Sequence, residues 1–176
     1  MTMMMPGRDA PERAVVKRLA SAAVLIPVFV WVVLGASPWV FRLVVLAAAA
    51  VASWELFAMF ERAGRSVYRR LGVVLAVAVT ASFLIPGAPV PALAAAAGIT
   101  LSARLCTRRL AAGEPAALTL LALVYVGWML GHALLLQGLR DGGALVVFLV
   151  GVTWVGESAA YLIGSLLGRH LSLIHI

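Results

Sequence analysis

Long apolar segments separated by short polar loops are the first pattern along the chain. Lipid offers no hydrogen-bond partner, so a segment of this kind must satisfy its own backbone as a helix. The pattern predicts an all-α fold, a polytopic membrane helix bundle of about six transmembrane helices. The six segments are residues 19–37, 39–60, 71–86, 90–103, 116–136 and 143–167.

Two places leave alternatives open. The third and fourth segments are short for a span, which takes about 20 residues, and the Pro- and Gly-rich stretch at 86–91 predicts a tight turn between them. A re-entrant helical pair is the alternative there. A cleaved signal peptide is the alternative for the first segment, because residues 35–37 are small; its length and the second segment directly after it favour a retained span.

Composition agrees with a lipid environment. The 176 residues are 64% hydrophobic and 12% charged, whereas a soluble domain is about half apolar and about a quarter charged. We expect a basic cytoplasmic arm over residues 1–18 and one membrane domain over residues 19–170. Cys106 is the only cysteine, so it forms no disulfide within the chain and is expected to be a buried thiol.

The basic residues set the orientation. Most of the 14 Lys and Arg residues lie in the N-terminal arm, after the second segment, after the fourth and after the sixth. Positive charge stays on the cytoplasmic side, so this alternation predicts that both ends of the chain are cytoplasmic. Topology also accounts for the net charge of +7. Nucleic acid is not an expected partner, because the basic residues are not interleaved with aromatic ones.

Two carboxylates inside predicted spans are candidates for function. A charge near the bilayer centre costs on the order of 3 kcal/mol even on the gentlest scale. Glu157 lies in the sixth segment and Glu55 in the second. With the predicted orientation, both fall in the cytoplasmic halves of their helices, and we expect them to face one water-filled cavity. Glu55 is also close enough to the interface to pair with Arg62 or to reach water.

The sixth segment carries a polar face. Its members recur at spacings of three and four, which places them on one side of a helix. The functional interpretation is a cytoplasm-facing site in which Glu157 holds a divalent metal or a basic partner while Ser158 and Tyr161 donate hydrogen bonds. The structural interpretation is a packing seam with Glu157 paired to an arginine. The face comprises Glu157, Ser158, Tyr161, Gly164, Ser165 and Gly168.

Two glycine pairs and one histidine are expected to be structural. The pairs Gly127 with Gly131 and Gly164 with Gly168 have the spacing that lets helices approach closely. His132 lies near the outer end of the fifth segment, away from the polar face, and is expected to be a hydrogen-bonded structural histidine.

Four stretches together resemble bacterial phosphatidate cytidylyltransferases, the CDP-diglyceride synthase family. Their order and spacing carry the likeness, which runs from about residue 17 to residue 170. In that family the acidic position of the last motif is usually Asp, so Glu157 is a departure. The stretches are 17–27, the Trp54-Glu-Leu-Phe57 motif, 125–132, and 154–164 continuing through Gly168-Arg-His170.

The resemblance implies a multi-pass enzyme of the bacterial inner membrane. Such an enzyme joins phosphatidate to CTP, with Mg²⁺, and gives CDP-diacylglycerol and pyrophosphate. Glu157 would hold the metal, and Ser158, Tyr161 and Arg169 would contact substrate. The family's most diagnostic motif is expected shortly after Arg169, so we expect the main catalytic set beyond this chain and an inactive N-terminal fragment. Residues 171–176 match a translated sequencing adapter and are expected to carry no function.

Other functions remain compatible with the sequence. A transporter or assembly subunit would use Glu55 and Glu157 to gate protons or to pair with arginines. A related lipid-head-group enzyme, such as a polyprenol kinase or a CDP-archaeol synthase, would share the scaffold. A homodimer is also left open.

Overall fold

The computed structural model describes residues 9–106 and 113–167, and all regular secondary structure in these ranges is helical. Each helix overlaps one predicted segment, which confirms the all-α fold. Contacts divide the chain into two compact units, one ending at Phe41 and the other beginning at Arg42. The helices are α1 Asp9–Leu34, α2 Pro38–Arg62, α3 Arg69–Ser82, α4 Pro89–Cys106, α5 Gly113–Gln137 and α6 Gly142–Leu167.

Some of the predicted features lie outside the described residues. These are residues 1–8 of the basic arm, Arg169, and the segment 171–176. The side chain of Cys106 also belongs to this group. Within the arm, the backbone from Asp9 onward already forms α1, so the helix begins earlier than the apolar segment does.

Helix length and composition are those of a membrane protein. Pro38–Arg62, Gly113–Gln137 and Gly142–Tyr161 are each long and apolar enough to cross a bilayer, whereas the apolar parts of α1 and α4 are shorter. Helix α3 has 14 residues, or about 21 Å at about 1.5 Å per residue, against a hydrocarbon core of about 30 Å. The re-entrant alternative for α3 and α4 therefore remains open.

In the first unit, α1 ends where two backbone N–H groups share one carbonyl acceptor. The backbone N–H groups of Gly35 and Ala36 both donate to the carbonyl oxygen of Trp31, at 2.8 and 2.9 Å. Pro27 lies inside the helix. The helix thus stops at the small residues that precede α2.

Helix α3 is the centre of the second unit. It packs against α4 and against the whole length of α5. The buried core consists of Leu75, Ala76 and Val79 from α3, Ala96 from α4 and Leu123 from α5. Because many of these side chains are small, the helix backbones approach closely, which is the usual mode of packing in lipid.

The predicted tight turn between α3 and α4 is confirmed. The N–H groups of Leu84 and Ile85 donate to carbonyls three residues earlier, each at 3.0 Å, so the turn continues α3 as a tightened coil. Gly87 has a φ of +76°, a left-handed conformation that glycine adopts without steric cost. The turn then delivers Pro89 to the first position of α4, where its missing N–H is not needed.

Helix α5 contains a π-helical segment, Leu123–Trp128, between the α-helical parts Gly113–Ala122 and Met129–Gln137. Thr80 Oγ1 of α3 lies 3.0 Å from the carbonyl oxygen of Gly127 and 3.0 Å from that of Ala76. The Thr80 hydroxyl can therefore donate to a carbonyl of its own helix or to one of α5, which links the two helices. A π-helical turn changes the register of carbonyls along a helix, and Thr80 is the partner for one of them.

The packing role predicted for Gly127 and Gly131 is confirmed. A side-chain carbon added at Gly127 would lie 2.9 Å from the Ala76 carbonyl oxygen, and one added at Gly131 would overlap the Phe83 ring. For the other pair, the space around Gly164 is open among the described atoms, and Gly168 lies outside them. Its packing role stays a prediction.

Gly127→Ala is expected to destabilise the protein by about 1 to 3 kcal/mol, the usual cost of overpacking. The new methyl group would meet backbone atoms of Ala76, which move only if α3 and α5 separate. Unfolding in mixed micelles, followed by circular dichroism, measures the change. Gly98→Ala is the matched control, because nothing lies within 4 Å of a carbon added there. Equal stability of the two variants would contradict the close α3–α5 contact.

Candidate functional site

The predicted polar face lies on the second half of α6. Glu157, Ser158 and Tyr161 are all exposed, Tyr161 at 67% of its surface. Helix α6 packs against the last part of α5, and no described residue covers the polar face. Arg169 lies outside the described residues, so the structure does not test its place beside Glu157. Because hydrocarbon does not tolerate a carboxylate, this face requires contact with water, protein or a polar ligand.

A shallow, open apolar depression of about 530 Å³, which we call the α6 groove, lies on one side of α6 just before Glu157, and all of its lining residues belong to this one helix. Its lining side chains are Phe148, Val152 and Val155, with Gly151 and Gly156 providing room between them. The groove therefore offers contact with hydrocarbon and almost no hydrogen-bonding groups. The carboxylate follows directly after it in the sequence, so an apolar surface and a charged one adjoin on the same helix.

That Glu55 and Glu157 face one water-filled cavity stays a prediction. Glu55 is exposed on α2, as expected for a carboxylate that reaches water. It forms no ion pair with Arg62 in the structure. No group of three or more His, Cys, Asp or Glu side chains in the described ranges is arranged to hold a metal. Among the described residues, Glu157 belongs to no such group, and its role as a metal ligand stays a prediction.

A second polar site, not predicted from the sequence, occupies the corner between α2 and α3. We call Trp54, Phe57, Glu61, Arg69 and Gly72 the α2–α3 corner. Phe57 is fully buried, and its ring lies where a side chain at Gly72 would otherwise be. Only glycine fits there, so the pair fixes the end of α2 against the start of α3.

Arg69 is held on two sides in this corner. Its guanidinium carbon lies 3.6 Å from the centre of the Trp54 ring, a cation–π contact. Its Nη1 donates to Glu61 Oε2 at 2.8 Å. Its Nε is buried and has no hydrogen-bond partner among the described atoms. The arginine is therefore fixed in position while one of its donors remains unused.

Arg65 forms the other ion pair of this region. Its Nη1 contacts Glu114 Oε1 at 2.5 Å and joins the α2–α3 loop to the first turn of α5. The side chains are 61% and 42% exposed, so water and salt screen the pair and it contributes little to stability.

From the sequence, these arginines were assigned to topology, and Trp54 was noted only as part of the Trp54-Glu-Leu-Phe57 motif. The stacking of Arg69 on Trp54 joins residues from two helices, and their separation in the sequence does not predict this contact. The nearest signal was the Trp54-Glu-Leu-Phe57 motif, which places Trp54 and Phe57 about one helical turn apart.

His132 has the structural role expected of it. Its Nδ1 donates to the Trp128 carbonyl oxygen at 2.9 Å, and its ring lies 5.1 Å from that of Phe83 and 5.6 Å from that of Trp128. Phe83 and Trp128 meet edge to face at 5.1 Å. The three rings join the end of α3 to α5, far along α5 from the α2–α3 corner.

The fold defines the class: an all-helical membrane protein with charged groups toward the ends of its helices. The chain belongs to the cytidylyltransferase family, whose model matches residues 16–176. This confirms the resemblance to the CDP-diglyceride synthase family. Neither a curated protein nor a solved structure matches the chain. Family membership supports a nucleotidyltransferase activity with CTP as a substrate.

Packing, more than ion pairing, is expected to stabilise the α2–α3 corner. Phe57→Ala should lower the unfolding free energy by about 3 to 5 kcal/mol, because it opens a cavity at a fully buried ring. Arg65→Ala should lower it by about 1 kcal/mol or less, because that pair is exposed. Denaturant titration of the two variants in mixed micelles measures the difference. Losses of similar size would contradict a corner that is stabilised mainly by packing of the buried ring.

Proposed function

We propose that the full-length gene product transfers the cytidylyl group of CTP to phosphatidate at the bacterial inner membrane, giving CDP-diacylglycerol and pyrophosphate. Family membership supports the cytidylyl transfer. The observation that favours a lipid acceptor is the arrangement on α6, where an apolar groove adjoins the Glu157 face. A lipid phosphate has the same two-part chemistry, acyl chains beside an anionic group.

The proposed acceptor fits α6 in one orientation. Acyl chains would lie along the groove at Phe148, Val152 and Val155, within the hydrocarbon layer. The headgroup would then lie toward Glu157, in the half of the helix predicted to be cytoplasmic. Ser158 and Tyr161 would donate hydrogen bonds to phosphate oxygens, and Arg169 is proposed as a further phosphate contact.

The reaction joins two anions. An oxygen of the lipid phosphate attacks the α-phosphorus of CTP and forms a new P–O bond. The bond between the α-phosphorus and the oxygen that bridges the α- and β-phosphorus atoms breaks. Pyrophosphate leaves with that bridging oxygen and the electron pair of the broken bond. The protein must therefore position the two phosphates in line and offset the charge that develops.

Magnesium is part of the proposal in a limited way. Mg²⁺ is often held by one or two carboxylates, with substrate phosphates and water completing its shell, and when bound it offsets negative charge on phosphate oxygens. Glu157 would be one such carboxylate. The described residues do not form a metal site by themselves.

The alternatives are separated by substrate. The family match favours an enzyme over a transporter or assembly subunit. A polyprenol kinase would transfer phosphate without releasing pyrophosphate, and a CDP-archaeol synthase would prefer an ether-linked isoprenoid phosphate.

In membranes that contain the full-length gene product, we expect labelled CTP to enter the lipid fraction only when phosphatidate and Mg²⁺ are added. Glu157→Gln should lower this rate by at least about tenfold, because it removes a charge that binds cation, and Glu157→Asp should retain most of it. Glu55→Gln is the matched control and should stay within about twofold.

Either of two results would reject the proposal. One is incorporation of label that does not depend on phosphatidate and instead follows a polyprenol or an archaeol-type phosphate. The other is a Glu157→Gln rate equal to that of the wild type, with the protein inserted to the same level.

A further inference from the structure

We propose that the α2–α3 corner is a binding site for a phosphate-type oxyanion, with Arg69 as its principal ligand. The site would lie on helices other than α6, so it is distinct from the Glu157 face. It also does not depend on the proposed reaction, because it is detected by binding alone.

The first support is the way in which Arg69 is fixed. Trp54 covers one face of the guanidinium at 3.6 Å, and Glu61 accepts from Nη1 at 2.8 Å. A long side chain normally loses rotamer freedom when it binds a ligand. Arg69 has already lost most of that freedom in the structure, so a ligand that binds here meets a positioned donor.

The second support is the unused donor. Glu61 occupies Nη1, while Nε is buried without an acceptor among the described atoms. Buried donors in native proteins nearly always have a partner. Nε lies on the side-on edge of the guanidinium, and this edge matches two oxygens of a phosphate or carboxylate. The side chain as a whole is 24% exposed, so a ligand reaches the guanidinium from water and must displace the atoms that cover Nε before it pairs with this edge.

The third support is the charge around the corner. Arg62 and Arg70 are exposed on either side of it, and neither forms an ion pair with a described carboxylate. Arg69 is also the first residue of α3. The positive end of the helix dipole and the two free cations therefore act in the same direction and attract an anion.

A phosphate has two sources at this place, a lipid headgroup and the aqueous phase. Three probes distinguish them: dioctanoyl phosphatidylglycerol, its phosphate-free counterpart dioctanoylglycerol, and sodium phosphate. The purified protein in neutral detergent is titrated with each probe, and the shift in its unfolding temperature gives an apparent affinity.

Arg69→Lys is the decisive variant, because it keeps the charge and removes the side-on edge. We expect it to weaken the apparent affinity by about tenfold, whereas the matched control Arg70→Lys should change it by about twofold or less. A response to the phosphatidylglycerol probe alone assigns the site to lipid, and a response to sodium phosphate as well assigns it to phosphate in general. Equal effects of the two variants, or equal stabilisation by dioctanoylglycerol, would overturn the proposal.

A measurement on the unaltered protein covers the case in which Arg69→Lys does not fold. Phenylglyoxal modifies accessible arginines, and mass spectrometry counts the adduct at each position. Saturating phosphatidylglycerol probe should reduce modification of Arg69 several-fold more than that of Arg65, which is already paired with Glu114. Equal protection of both would overturn the proposal.

Discussion

Hydrocarbon offers no partner for a polar group, and this one constraint explains most of the structure. It makes every described element a helix. It also explains the buried hydroxyls, which return to their own backbone: Ser53 donates to the Ala49 carbonyl at 2.6 Å, Thr100 to Ala96 at 2.8 Å and Thr119 to Pro115 at 2.7 Å. Charged side chains are accordingly concentrated toward helix ends, whereas Glu55 and Glu157 lie further inside α2 and α6.

The same constraint shapes the packing. The hydrophobic effect gives little drive for helices to associate in lipid, so close backbone contact must supply it. Helix α3 makes such contacts where its Gly72 leaves room for the Phe57 ring and where its Ala76 backbone lies against Gly127 of α5. The Thr80 hydroxyl adds a hydrogen bond from α3 to the Gly127 carbonyl oxygen of α5. The α2–α3 corner is therefore built on the same rigid base that supports α5.

Local patterns in the sequence predicted what is local in the structure. The six helices, the turn around Gly87, the close packing at Gly127 and Gly131, and the bonded His132 all follow from composition, spacing or short motifs. The π-helical segment did not, because it depends on how α5 meets α3. The stacking of Arg69 on Trp54 did not either, since it joins two helices. The role of Glu157 depends on which groups pack against the second half of α6, and the sequence around Glu157 does not specify those groups.

The central claim is that the Glu157 face meets water from the cytoplasm although it lies within a membrane helix. The direct test is labelling by a charged, membrane-impermeant thiol reagent, with Glu157→Cys and Phe148→Cys each made in a Cys106→Ser background. Inside-out vesicles expose the cytoplasmic side, and right-side-out vesicles expose the other. The account predicts rapid labelling of position 157 from the cytoplasmic side alone, and none of position 148. Labelling of 157 as slow as that of 148, or labelling from the outer side, would contradict it.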